Sequence, residues 1–74
     1  MSATVVESLD DSPTLLVRDR KSGKTMNVHV TEDFVVKTKS GYTTADRLKA
    51  GESILIKAYR DHDDNLIAQT IRYR

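Results

Sequence analysis

The chain has 74 residues, which is enough for one small domain over residues 1–74 with a thin hydrophobic core. Apolar residues make up 38% of it, and twelve basic residues nearly balance eleven acidic ones, leaving a formal charge of +1. That balance argues against a strongly basic nucleic-acid module, and the lack of cysteine excludes disulfides, thiolate zinc sites and cysteine nucleophiles.

The first residues lack the basic start and the long apolar stretch of a secretory signal, and no run approaches the length of a membrane span. The sequence as written therefore predicts a cytoplasmic protein without a membrane partner. If a leader had been removed before residue 1, the same sequence would suit a periplasm.

Three strands are predicted in the first half of the chain, because apolar residues recur there with a period of two. They cover residues 4–9, residues 14–19, and a stretch in which Met26, Val28 and Val30 form the apolar side. The intervening turns are residues 10–13 and residues 21–24, and the second has a glycine where a hairpin needs positive φ. These strands are predicted to form a meander.

The second half of the chain predicts two further strands. One alternates through Ile54, Ile56 and Ala58. The other runs over residues 66–73, where the apolar phase changes and a β-bulge near Gln69 and Thr70 would reconcile it. Residues 34–36 are either a short sixth strand or a kinked continuation of the third strand.

A short helical turn is predicted between the third and fourth strands. Thr43 or Thr44 can cap it, Asp46 lies favourably near its N-terminus, and Gly51 follows its end. Three meandering strands, a helical turn and two more strands predict an all-β fold, a small five-stranded OB-like barrel. An SH3-like barrel is the alternative.

Four segments carry a resemblance to a known family: LLVRD at 15–19, SGKTMNV at 22–28, DRLKAGESI at 46–54 and IAQTI at 67–71. Together they resemble a small bacterial OB-like domain of unknown function found in exported and envelope proteins. The resemblance implies the same barrel fold and supplies no active site. Glu52 departs from the aspartate that this family usually has after the glycine.

Acidic residues are expected at two turns that an OB-like barrel brings to one mouth. Residues 61–65 begin like a calcium loop, but Leu66 and Arg72 stand where an EF-hand requires glycine and glutamate. A weak divalent-cation site is therefore the metal hypothesis, against a solvated turn as the simpler interpretation. Its candidate ligands are Asp10, Asp11, Asp61, Asp63 and Asp64.

Basic and aromatic residues supply the candidate contacts for a polyanion or a protein partner. The candidates are Arg18, Arg20, Lys21, Lys24, Tyr42 and Tyr59. A second basic group, Lys37, Lys39, Arg47 and Lys49, surrounds the helical turn. If both groups fell on one face, nucleic-acid binding away from the usual OB face would become credible, whereas Phe34 and Tyr73 are expected to belong to the core.

No catalytic relay, glycine-rich loop or pocketed carboxylate pair is present in the sequence, so we expect neither an enzyme nor a cofactor. The primary hypothesis is an interaction module that binds another protein, or copies of itself, through loops or strand edges. Outward apolar residues such as Leu16, Val35 and Leu55 would be covered by that partner. The alternatives are single-stranded RNA or DNA binding and weak cation binding at the acidic mouth.

Overall fold

A computed structural model of the protein describes residues 1–8 and 13–74. Within these residues the regular secondary structure consists of short strands and one 3-10 turn at Ala45–Arg47. The strands are β1 (Ser2–Glu7), β2 (Thr14–Asp19), β3 (Thr25–His29), β4 (Val35–Lys37), β5 (Tyr42–Thr44), β6 (Ser53–Arg60) and β7 (Leu66–Tyr73).

The first three strands form the predicted antiparallel meander. The turn between β2 and β3 depends on Gly23, whose φ of +74° lies in the left-handed region that glycine adopts without steric cost. Its N–H donates to the carbonyl of Asp19 at 2.8 Å, and the N–H of Asp19 donates to the carbonyl of Lys24 at 2.8 Å. The conformation of this turn is therefore determined by its own glycine and by hydrogen bonds between its own residues.

Five strands close into a barrel in the order β1-β2-β3-β7-β6, with β6 returning to β1. The closing contact is parallel, between His29 of β3 and Ile67 of β7. A small five-stranded all-β barrel, with a helical turn between its third and fourth strands, is thereby confirmed. No helix of the described residues is long and apolar enough to cross a membrane.

The hairpin of β4 and β5 was only partly foreseen. The segment near residue 35 is a separate strand, and it also continues the path of β3, because both run parallel to β7. β5, which pairs antiparallel with β4, was not predicted as a strand. Its three residues are too few for a period of two to stand out from the helical turn that follows.

The core is formed by the inward side chains of the barrel strands, by Val30 and Val36, and by two residues of the helical turn region. Leu48, fully buried just after the 3-10 turn, packs into the same cluster as the strand residues. The bulge in β7 is confirmed: Lys57 pairs with Thr70 and Ala58 with Ala68, so Gln69 is the extra residue. The bulge lets Ala68 and Ile71 both face inward. The largest fully buried side chains are Leu15, Leu48, Ile54, Ile56, Val5, Val17, Val28 and Val36.

Candidate functional site

The outward face of the sheet carries a row of residues aligned by strand pairing, which we call the cross-strand row. Ser2 pairs with Leu55, Leu55 with Arg72, Arg72 with Lys37, and Lys37 with Tyr42. Ser2, Leu55, Arg72 and Lys37 each follow or precede a buried residue of their own strand, and Tyr42 is itself exposed, so these five side chains face away from the core. With neighbouring strands about 4.8 Å apart, the row extends for roughly 19 Å.

An open groove of about 580 Å³ lies over part of this row, and we call it the cationic groove. It is bounded by the β4–β5 hairpin on one side and by the outer surfaces of β6 and β7 on the other. Its apolar lining is Met1, Val35, Tyr42, Leu55, Ile56 and Ile71, and its polar lining is Lys37, Lys57, Arg72, Gln69 and Thr70.

The groove's charge is of one sign. Lys37, Lys57 and Arg72 line it, and none of its lining residues, all in the described part of the chain, is acidic. The one ion pair among the described residues lies elsewhere, between Arg60 and Asp64 at 3.5 Å. A chain with a net charge of only +1 thus gathers in one groove three cations that form no ion pair with any described residue.

The groove also exposes apolar surface. Tyr42 is 73% exposed and Val35 is 58% exposed, whereas Leu55 is half-buried on the floor. Small monomeric domains rarely leave large apolar side chains together in solvent unless something covers them. The structure places Val35 and Leu55 on the outside, as the sequence predicted.

The predicted basic hairpin adjoins the row at its other end. The N–H of Arg20 donates to the carbonyl of Ser2 at 3.0 Å, so Arg20 lies beside the first residue of the row. Arg18 pairs with Thr4, two residues further along the same strands. Lys21 and Lys24 are exposed at the hairpin tip. The cations of this hairpin therefore border the outward face that holds the groove.

The other predicted contacts are spread more widely. Tyr59 is 52% exposed at the far end of β6, where it pairs with Ile67, and it does not line the groove. In the second basic group only Lys37 lines the groove. The remaining members are all exposed: Lys39 lies in the turn between β4 and β5, Arg47 is the last residue of the 3-10 turn, and Lys49 follows it.

Two groove residues, Lys57 and Arg72, were missed as candidate contacts. Their alternation with the buried residues Ile56 and Ile71 marks them as outward-facing in the sequence. What no local pattern indicates is that β4 runs beside β7, since this pairing joins segments far apart in the chain. The sequence therefore indicates that these side chains face outward, but it does not indicate which strands lie next to one another.

The acidic hairpin between β6 and β7 is organised by its own first residue. Oδ1 of Asp61 accepts hydrogen bonds from the N–H groups of Asn65 at 2.8 Å and Asp63 at 3.0 Å, and Oδ2 accepts from Nδ2 of Asn65 at 3.4 Å. The bonds from Asn65 and Asp63 hold the pKa of Asp61 below its ordinary value, with a smaller contribution from the nearby His29. Asp64 takes a positive φ of 63° in the same turn.

The structure describes only one of the two acidic loops that were predicted to form a mouth, together with the end of the other. Thr14, at the start of β2, lines a polar cleft together with His29, Asp64 and Asn65, so the described end of the first loop lies beside the β6–β7 hairpin. Asp10 and Asp11 lie outside the described residues. Within the described ranges, no group of three or more His, Cys, Asp or Glu side chains is arranged to hold a metal ion.

In three comparisons with known proteins, no family model, no curated protein and no solved structure matches the chain.

Proposed function

We propose that the protein is a non-catalytic interaction module that binds a segment of a partner protein in the cationic groove, and that this segment carries both apolar and acidic side chains. The observation that supports this most is the combination of exposed apolar lining with three unpaired cations and no acidic lining residue. An acidic partner would be drawn to the groove and oriented by charge, while apolar contacts would supply most of the affinity.

The apolar share of the lining favours a protein segment over a nucleic acid. Val35 and Leu55 are aliphatic, and Tyr42 is the one aromatic side chain among the described residues that line the groove. Sequence-tolerant binding of single strands normally uses several aromatic platforms on which successive bases stack. Leucine or valine side chains of a partner, by contrast, would fill an aliphatic groove.

Single-stranded RNA or DNA is the second candidate, and a specific observation favours it. Arg20 borders the row that contains Arg72 and Lys37, so cations from both predicted basic groups flank one outward face. The strand order also supports assigning the barrel to the OB type, whose members often bind oligonucleotides. Binding to such a face would fall steeply with added salt.

Self-association through the groove is disfavoured by charge. In a two-fold dimer the same patch meets itself, which would bring Lys37, Lys57 and Arg72 of one copy against those of the other. Like charges facing each other in an interface oppose association. The proposed partner is therefore a different, acidic chain.

The direct test measures binding of labelled peptides by fluorescence anisotropy. The probe, which we call the acidic peptide, has eight residues in which glutamate, threonine, leucine and threonine repeat. Its matched control has lysine in place of each glutamate. We expect the acidic peptide to bind and the lysine peptide not to bind.

Protein variants locate the site. Lys57→Glu combined with Arg72→Glu should weaken binding of the acidic peptide by about tenfold or more, because two attractions become repulsions. Lys21→Glu combined with Lys24→Glu makes the same change of net charge at exposed positions outside the groove, and it should have little effect on binding of the acidic peptide. Equal effects of the two pairs would show non-specific attraction and would contradict the proposal.

A ten-nucleotide uridine RNA provides the competing outcome. If the RNA bound while the acidic peptide did not, and if Lys21→Glu with Lys24→Glu weakened that binding, the nucleic-acid candidate would replace the protein-partner proposal. These two residues are exposed at the basic hairpin tip and do not line the groove.

A further inference from the structure

We propose that the partner segment binds as an additional β-strand on the free edge of β5, placing every second side chain at the cationic groove. This inference deepens the proposed function and rests on it. It concerns how the acidic segment is held rather than whether the groove attracts it.

β5 is the last strand in the order of the sheet, and among the described residues its one strand partner is β4. The hydrogen bonds of this hairpin show which backbone groups are occupied. The carbonyl of Gly41 accepts from Thr38 at 2.8 Å, and the N–H of Ala45 donates to Phe34 at 2.9 Å. Since antiparallel strands alternate the side to which their backbone groups point, those of Tyr42 and Thr44 are directed away from β4.

The edge lacks the features by which sheets usually discourage added strands. β5 consists of Tyr42, Thr43 and Thr44, which are aromatic or β-branched residues with high strand propensity and no charge. Neither lysine nor proline interrupts it, although these are the usual protections of an exposed edge. Among the described residues, the protection that remains is the shortness of the strand and the carboxylate of Asp46, which accepts a hydrogen bond from the hydroxyl of Thr44 at one end of the edge.

The edge is continuous with the groove. Tyr42 belongs to β5 and also lines the groove, and its pairing partner Lys37 contributes one of the three cations. A strand paired with β5 would direct alternate side chains to the same face as Tyr42 and Lys37. Glutamate and leucine side chains at those positions would extend towards Lys37 and Val35.

A second copy of this chain is a poor occupant of the edge. A three-residue strand is only about 10 Å long, so pairing of two β5 strands would bury far less than the roughly 1,000 Å² that a specific interface needs. It would also bring no acidic side chain to the groove from the paired strand, since Tyr42, Thr43 and Thr44 are uncharged. A longer acidic segment of another protein avoids both problems, because it can pair with β5 and continue over the groove.

The experiment uses the acidic peptide in two N-methylated forms. In an added strand only alternate amides of the peptide bond to β5, so methyl groups on one alternate set should weaken binding by about tenfold or more, while the other set should change it much less. In parallel, hydrogen exchange is followed on the intact protein. The amides of Tyr42 and Thr44 should gain protection when the peptide binds, and the amide of Thr43 serves as the internal control because alternation directs it to β4.

The outcomes separate the two proposals. Equal effects of the two N-methylated forms, with no new protection at Tyr42 and Thr44, would overturn strand addition while leaving groove binding in place. Failure of the unmodified acidic peptide to bind at all would overturn the proposed function and strand addition with it. The expected result is that one N-methylated form of the peptide loses binding and the other does not, and that the amides of Tyr42 and Thr44 gain protection from hydrogen exchange.

Discussion

The hydroxyl of Tyr73 donates a hydrogen bond to Oε1 of Glu52 at 3.3 Å, which joins the last residue of β7 to the turn that precedes β6. The same carboxylate oxygen accepts a hydrogen bond from the N–H of Lys49. The carbonyl of Glu52 in turn accepts from the N–H of Val5 at 2.9 Å. Glu52 therefore connects the region after the 3-10 turn, β1 and the end of β7.

This contact predicts a dependence of stability on high pH. Partial burial and the negative charge of Glu52 raise the pKa of Tyr73 above its ordinary value of 10.0. A raised pKa in the folded state leaves stability unchanged below about pH 10 and lowers it as the pH rises through the folded-state value, because the unfolded chain ionises first. In urea unfolding, Tyr73→Phe should cost about 1 kcal/mol at pH 7 and should lose less stability than the wild type above pH 10.

Tyr59→Phe is the matched control, since Tyr59 is exposed and lies at the other end of β6. Tyr59→Phe should leave both the urea midpoint at pH 7 and the loss of stability above pH 10 close to those of the wild type. Identical alkaline profiles for Tyr73→Phe and the wild type would contradict the role of the Glu52 contact.

A second prediction concerns the β6–β7 hairpin. Asp61→Ala removes the acceptor of three hydrogen bonds from Asp63 and Asn65, so it should lower the urea midpoint at pH 7. Because the pKa of Asp61 is lowered in the folded state, its stabilisation is present above about pH 4 and is lost as the pH falls through the folded-state value. The difference in urea midpoint between the wild type and Asp61→Ala should therefore become smaller at acidic pH.

Asp63→Ala changes the charge of the same hairpin by the same amount, at a residue that contributes only its backbone N–H to these bonds. The urea midpoint of Asp63→Ala should lie nearer to that of the wild type than the midpoint of Asp61→Ala does. If both variants lost the same stability, and did so equally at every pH, net charge rather than hydrogen bonding would explain the effect.

A third prediction separates stability from binding at two leucines. Leu48 is fully buried in the core, so Leu48→Ala should cost about 2 to 5 kcal/mol in urea unfolding. Leu55 is half-buried on the outward face and lines the groove, so Leu55→Ala should cost less stability and should weaken binding of the acidic peptide several-fold. A variant at Leu55 that bound the peptide as well as the wild type would argue against the groove as the binding surface.

The sequence by itself determined the local features of this protein. Period-two alternation identified the five barrel strands, a glycine identified the turn at Gly23, and the change of apolar phase located the bulge at Gln69. It also predicted that Val35 would face outward. These features depend on backbone preference and on which side of a strand faces the core, and a few neighbouring residues are enough to specify both.

Only the tertiary structure decided which outward side chains lie next to one another. Lys37, Lys57 and Arg72 come from three strands, and they line one groove because β4 runs parallel to β7 while β6 pairs antiparallel with it. The free edge at β5 likewise follows from the order of the whole sheet. Strand pairing joins segments distant in the chain and is set by how all the strands together bury the core, so no local pattern of charge or hydrophobicity encodes it.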